Sequence, residues 1–432
     1  MKGLELPKLR TPVPGPNSLK LMKELREVEC QNITYISEDY PVFISKSSLA
    51  NVWDVDGNRY VDLTSFFGVS LIGHNHPAIR KLLRNPQIIN GMGDVLPSES
   101  KVKLLKKLSA LLGGGYQGIL GQNGADAVEA AIKTAYLYTG KKTVMAFEGG
   151  YHGLSFGALL CTFNPKFKDP FRSLIPDISV YFLFPQADNW LEVINNIEKY
   201  LKEKGNVGLL IIEPVQARGG VRIAPMDFIK ALREVTLKYG VVLAFDEIFS
   251  GLGRCGKKFV YEYYGVKPDI ILLGKALSSS FPISVMMARE EIMKAWPSSG
   301  GEALHTSTHL GHPLISEIAY NVLCFMEKEK VWDQVAWKGS IFLSKLSKVK
   351  ADFPKIVREV RGMGLLLGIE FHHGIAFDVS KKLLKLGYIT LPSGLKGEVL
   401  ELAPSFVITE KIMDDFVSKL NSVLKEWTYS RG

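Results

Sequence analysis

VVLAFDEIFSGLGR (241–254) and PDIILLGKALSSSFP (268–282) decide how this chain folds. Each is a short apolar run that stops at a charged group, Asp246 in the first and Lys275 in the second. Brief runs of Val, Ile, Leu and Phe bounded by turn residues read as strands buried on both faces, the mark of a parallel sheet. In open α/β sheets, ligands bind just beyond the carboxyl ends of the strands. Both charges therefore stand where chemistry is expected. A lysine that leaves an apolar strand and precedes Ser278-Ser279-Ser280 is poorly explained as a solvated surface group. Burial favours the neutral amine, which forms Schiff bases with carbonyls. An acid on a neighbouring strand end suits the task of keeping a pyridine nitrogen protonated, so that the ring draws electrons. An ordinary Lys–Asp ion pair at the sheet edge accounts for the two residues equally well.

The same pattern continues outward. YQGILG (116–121), TVMAFEG (143–149) and GLLIIEP (208–214) read as further buried strands, with helical stretches such as ALREVTLKYG (231–240) between them. This alternation, from about residue 100 to 310, calls for an α/β fold with a mostly parallel sheet covered on both faces. VWDVDGNRYVDL (52–63) predicts a hairpin closed by a two-residue turn at Asp56-Gly57. After about residue 315 come a long helical run, REVRGMGLLLGIEF, VLELAPSFVI and a closing helix, an α+β texture. The expected division is an N-terminal arm with part of a small domain (1–75), a large α/β domain (76–315) and a small α+β domain (316–432).

With 432 residues, 46% of them hydrophobic and 22% charged, the chain is globular and too long for one ordinary core. The formal charge is +9, but the basic residues are scattered. The densest run, KVKLLKKLSALL (101–112), places lysines and leucines at helical spacing and reads as a solvated helix face, not a nucleic-acid surface. A basic balance of this kind suits small anionic molecules. Cys30, Cys161, Cys255 and Cys324 lie far apart without CxxC spacing, so neither a metal site nor a disulfide framework is expected. The start, MKGLELPKLRTPVPGPNS, lacks a signal-peptide apolar run, and no long apolar stretch follows. A soluble, cytoplasmic protein without membrane attachment is the expectation.

Two more strand ends carry chemistry. GQNGADAVEAAIKTA (121–135) leaves a strand through a glycine turn and enters a helix with apolar residues at Val128, Ala131, Ile132 and Ala135. Open amides at that helix start, with Gly124 allowing close approach, suit a phosphate; an Asn-Gly hairpin is the alternative, although the period that follows is helical. In FEGGYHGLSFG (147–157), Tyr151 and His152 follow a strand through two glycines. A tyrosine there suits stacking on a flat ring, or simple core packing.

Strand end by strand end, the order of phosphate turn, aromatic, Glu-Pro-x-Gln loop, Asp-Glu and Lys resembles the class III aminotransferases. These are pyridoxal 5'-phosphate (PLP) enzymes of fold type I, and they include ornithine and 4-aminobutyrate aminotransferases. PGPNS (14–18), the stretch from Val52 to Pro77, HTSTHLGHP (305–313) and VRGMGLLLGIE (360–370) also look like family segments. The resemblance implies a seven-stranded type of sheet and a homodimer with a shared active site. It implies that Lys275 carries PLP as a Schiff base and shuttles the proton between Cα and C4′, while Asp246 pairs with the pyridine nitrogen. Tyr151 would stack on one ring face, with His152 in the same cofactor site, and Ile248 would pack on the other. Gly124 and Ala125 would hold the phosphate, helped by Thr308 from across the dimer.

Several positions depart from the family pattern. Ala125 stands where Ser or Thr is usual, and Phe249 where a glutamine often lies. Leu154 replaces an arginine that grips a substrate carboxylate, which argues against 4-aminobutyrate as the preferred substrate. Glu401 in VLELAP occupies the place of a second family arginine, and Arg218 that of the glutamate that pairs with it. Arg218 and Glu401 then form the same pair in reverse polarity, leaving Arg218 to take a substrate carboxylate through a two-point fork on opening. The alternative is that both are solvated and unrelated. The activity implied is transfer of an amino group from an amino acid or ω-amino donor to a keto acid. An amino-acid racemase or epimerase on the same fold is the other reading. It needs a second acid/base opposite Lys275, a role that a guanidinium fills poorly and that leaves His152 or a water. A PLP-binding regulatory domain would lack Lys275 or carry a fused DNA-binding module, and neither is seen.

Overall fold

A computed structural model of the chain describes residues 3–84, 86 and 88–429. It divides into two compact units, Met1–Pro77 with Gln334–Gly432, and Ala78–Asp333.

The larger unit is built on seven strands: β1 (Tyr116–Gly121), β2 (Thr143–Phe147), β3 (Ser179–Phe182), β4 (Val207–Ile212), β5 (Val242–Asp246), β6 (Ile270–Leu273) and β7 (Ser284–Arg289). Their order across the sheet is β1-β7-β6-β5-β4-β2-β3. β3, β2, β4, β5 and β6 run parallel, and β7 is antiparallel to both β6 and β1. With β7 reversed between them, β1 points the same way as β6. The carboxyl ends at Gly121, Phe147, Ile212, Asp246 and Leu273 therefore share one edge. Every residue of β4, β5 and β6 is buried, as the apolar runs predict for a sheet covered on both faces. The segment SVMMAR of β7 and the half-buried edge strand β3 escaped the sequence reading.

Helices α1 (Glu99–Leu111), α2 (Gly124–Thr139), α3 (Trp190–Lys204), α4 (Met226–Tyr239) and α5 (Pro313–Lys328) belong to this unit. The buried stripe of α2 is Ala127, Val128, Ala130, Ala131, Thr134 and Ala135, whose small side chains let the helix lie close on Val144, Leu209, Val242 and Ile270. α1 buries Leu104 and Leu108 and turns lysines outward, as its spacing predicts. The unit ends after Asp333, not near residue 315, because α5 packs on α1. Ser100 Oγ donates to the Pro313 carbonyl at 2.9 Å, and Lys107 ion-pairs with Glu327.

The smaller unit contains two four-stranded sheets and the closing helix Glu410–Tyr429. One sheet is an antiparallel set of Val357–Met363, Leu366–Phe371, Val399–Leu402 and Leu391–Ser393. The hairpin of Asn51–Asp54 and Arg59–Asp62 forms, but its loop has three residues, not the two expected. Gly57 N–H donates to Asp54 O and Asp54 N–H to Asn58 O, each at 3.1 Å, with Gly57 at φ +80°. The buried Asp54 carboxylate selects this loop by accepting from the amides of Asp56 (3.0 Å) and Asn58 (2.8 Å) and from the Tyr60 hydroxyl (2.7 Å). Among the described residues, no helix is long and apolar enough to cross a membrane, and no cluster of three His, Cys, Asp or Glu side chains offers a metal site.

Candidate active site

Asp246 ends β5 with only 4% of its surface exposed. One carboxylate oxygen accepts the Ile248 N–H at 3.0 Å, and the other lies 2.7 Å from His152 Nδ1. The turn so formed aims Ile248 at two glycines. A Cβ added to Gly124 would sit 3.1 Å from Ile248 Cδ1, and one added to Gly274 would sit 3.3 Å from its Cγ2. Lys275 follows Gly274, half-buried and at φ +42°, with Nζ 3.7 Å from the centroid of the Phe249 ring.

The first turn of α2 supplies the second part. Asn123 caps the helix by accepting from the Asp126 amide, and the Asp126 carboxylate takes the amides of Gln122 (2.8 Å) and Asn123 (3.3 Å). Ser284 Oγ, from β7, donates to the Asn123 carbonyl at 2.6 Å. The amides of Gly124 and Ala125 are first-turn donors without intrahelical partners, at the positive end of a 16-residue helix. They meet the requirement for a phosphate. Gly153 lies against them, since a Cβ there would stand 2.7 Å from Ala125 Cβ.

The third part is the loop after β2, and the Glu-Pro-x-Gln segment braces it. Glu213 accepts the Tyr151 amide at 2.9 Å. Gln216, fully buried, donates to the Glu148 carbonyl at 3.1 Å. Arg222 donates to the same carbonyl at 2.8 Å and to Gln216 Oε1 at 2.7 Å. Gly149 is required where this guanidinium passes, because a Cβ would lie 1.8 Å from Arg222 Nη2 at a backbone φ of +80°. Buried Thr162 pins the next peptide, accepting the His152 amide at 2.9 Å and donating to the Gly153 carbonyl at 2.8 Å. The Tyr151 ring packs edge-on against Phe167, and the exposed guanidinium of Arg218 lies 5.0 Å over it.

Contacts thus link Lys275, Asp246, His152, Ile248, Gly124, Ala125, Tyr151 and Arg218 within one unit. Thr308 is exposed in the turn Ser307–Leu310, whose Ser307 Oγ accepts from Gln122 Nε2 at 3.0 Å. Glu401 belongs to the other unit, 3% exposed on Val399–Leu402, where it registers against Gly368 and Leu391. The braces Glu213, Gln216, Arg222 and Thr162 were not singled out from sequence. For Glu213 and Gln216 the signal was the Glu-Pro-x-Gln run, read there as a family mark. His152 is 3% exposed with Nδ1 on Asp246, and a Cβ on Gly150 would stand 3.1 Å from its Nε2. A ring so enclosed is placed to support Asp246 and is poorly placed to exchange a proton with a substrate carbon.

Burial shapes the electrostatics. Burial pushes the Glu213 carboxyl up to about 7, with nearby His152 opposing and Asp246 adding to the rise. For His152, burial opposes protonation, but the hydrogen bond and charge of Asp246 prevail and the ring is held above its ordinary value. Burial also pushes Glu247 up to about 8, although it accepts the amides of Val260 (2.6 Å) and Tyr261 (2.9 Å). Between its ordinary value of 4.5 and about 8, the folded state keeps a proton on Glu247 that the unfolded chain releases, so stability falls as pH rises through that window. Urea midpoints at about pH 5 and about pH 8 are expected to differ less for Glu247→Gln than for the parent protein. Equal differences would refute the assignment, whatever constant offset the substitution brings.

The family description Aminotransferase class-III matches residues 35–424. A LysW-aminoadipate semialdehyde/glutamate semialdehyde transaminase of Sulfolobus acidocaldarius is 35% identical over 90% of this chain and 95% of its own. An acetylornithine aminotransferase of Methanopyrus kandleri is 32% identical over 89% of this chain and 95% of its own. Among solved structures, an ornithine aminotransferase of Toxoplasma gondii with partial occupancy of PLP at its active site superposes with a TM-score of 0.83. It is 27% identical over 93% of both chains.

Proposed function

The chain belongs to the class-III aminotransferases and is a PLP-dependent transaminase; on that premise we propose that Arg218 selects substrates that carry a carboxylate. The residues fit the cofactor: open amides at the start of α2, a buried acid, an amine at the end of β6, and Ile248 packed over two glycines. When bound, PLP supplies a carbonyl that takes up the amino group and a ring that draws electrons from the substrate carbon. Lys275 would present the amine that takes the proton from that carbon and gives it back to the cofactor. Asp246, fixed by the Ile248 amide and by His152, would hold a proton on the ring nitrogen. Gly124 and Ala125 would hold the phosphate, and Tyr151, its amide held by Glu213, would cover a ring face.

Arg218 carries the substrate reading. Its guanidinium is exposed yet rests on the Tyr151 ring, which would let the planar fork take a substrate carboxylate beside that ring. The relatives named for semialdehydes and for acetylornithine support a substrate that exchanges its amine or aldehyde at a chain end. In a screen of single amino donors and keto acids, Arg218→Leu is expected to raise KM for carboxylate-bearing substrates roughly 10- to 100-fold. Amines without a carboxylate should be spared. Equal losses for both classes would make Arg218 a structural residue.

A homodimer is part of the same proposal. Ile88, Ile89, Met92, Val95 and Leu96 are each more than half exposed, an apolar run that a second copy of the chain would cover. In such a dimer, Thr308, exposed in its own chain, would serve the neighbouring site.

A further inference from the structure

The amine of Lys275 lies on an aromatic face. Its Nζ is 3.7 Å from the centroid of the Phe249 ring, and that ring is 7% exposed. The negative face of an aromatic ring attracts an ammonium and has no comparable attraction for a neutral amine, and the effect strengthens as water is excluded. Phe249 is itself held in place. The Ile248 amide beside it bonds Asp246 at 3.0 Å, and the Gly251 amide bonds the Glu247 carbonyl at 2.9 Å, so both flanks of the residue are anchored. Lys275 adopts φ +42°, a left-handed conformation unfavourable for a residue with a Cβ, so its direction is set by the surroundings and not by its own preference. A ring face attracts the N–H of a neutral amine more weakly than it attracts an ammonium, so removing the ring costs the charged form more than the neutral one.

We propose that Phe249 is a positioning residue: its ring favours the charged form of the Lys275 amine while that amine is not joined to the cofactor, and so contributes to how readily the amine gives up its proton. Loss of the proton leaves Nζ a neutral nucleophile and ends the charge attraction to the ring. The proposal rests on Lys275 being the cofactor lysine. Among the carboxylates near this amine are Glu213, whose charge state responds to Lys275, and Asp246, on the strand beside it. Both remain when the ring is removed, so substitution of Phe249 isolates the ring's own contribution.

The test uses the full-length protein freed of cofactor and an amine-selective acylating reagent. Labelling of Lys275 is followed by peptide mass spectrometry across pH. Phe249→Leu is expected to raise labelling below the titration midpoint roughly 3- to 30-fold by destabilising the ammonium, with Phe249→Tyr restoring the parent profile. Lys20, 75% exposed at its side chain, is the internal control and should not change. Phe249→Met, apolar and similar in volume, gives the same comparison if the leucine variant unfolds. An unchanged profile, or equal changes with leucine and tyrosine, would overturn the role of Phe249. Added PLP should protect Lys275 from the reagent in every folded variant. Failure of that protection would instead overturn the reading of Lys275.

Discussion

Lys275→Ala is expected to lower amino transfer by roughly 10⁴-fold, the upper range for loss of a positioned proton-transfer group, with loss of covalent attachment added to it. Two titratable side chains of the site are engaged elsewhere. His152 is enclosed with Nδ1 on Asp246, and the Glu213 carboxylate accepts the Tyr151 amide. Methylamine added to the variant should restore part of the rate, because the missing element is an amine and not the shape of the site. The visible band of lysine-bound PLP should disappear while phosphate-end binding persists. A retained band would exclude Lys275 as the attachment point. The substitution removes a half-buried chain at the end of β6 and leaves the strand's four buried residues intact, so the thermal midpoint should move little.

Asp246→Asn should slow the donor half-reaction about 10²- to 10³-fold, the scale associated with removal of one preorganised electrostatic group. Asparagine keeps an oxygen for the Ile248 amide but presents a neutral amide in place of a carboxylate. It cannot hold a proton on the ring nitrogen, and it also removes the charge that raises His152. Single-turnover rates with saturating donor separate this effect from weaker cofactor binding, which equilibrium dialysis reads independently. A rate within a few-fold of the parent would show that ring protonation does not depend on Asp246.

Much of the fold was legible because strand burial leaves a local imprint. The runs ending at Gly121, Phe147, Ile212, Asp246 and Leu273 announce a parallel sheet, and all five form. Asn123 likewise caps α2 within four residues of chain, so the helix start was readable from neighbours alone. β7 was less legible. Its buried run SVMMAR begins just beyond Ser278–Ser280, and no local pattern says that a strand will run against its neighbours. The extent of the larger unit was less legible for a related reason. The apolar stripe of α5 shows that it packs, but only the contact with α1 shows on what.

The sequence by itself determined the sheet, the positions of Lys275 and Asp246 at strand ends, and the family. Hydrophobic periodicity and charged strand ends are written in adjacent residues, and the family signature is a fixed order of such segments. Only the tertiary structure decided which groups those residues meet. It set His152 on Asp246, Arg222 and Gln216 on the Glu148 carbonyl, Arg218 over Tyr151, and Phe249 beneath the Lys275 amine. These partners lie on loops that leave different strands, and sheet order brings those loops together after a separation in sequence of up to 94 residues, between His152 and Asp246. A side chain's chemistry is carried by its own residue, whereas the neighbours that set its charge and direction are assigned by the closing of the sheet.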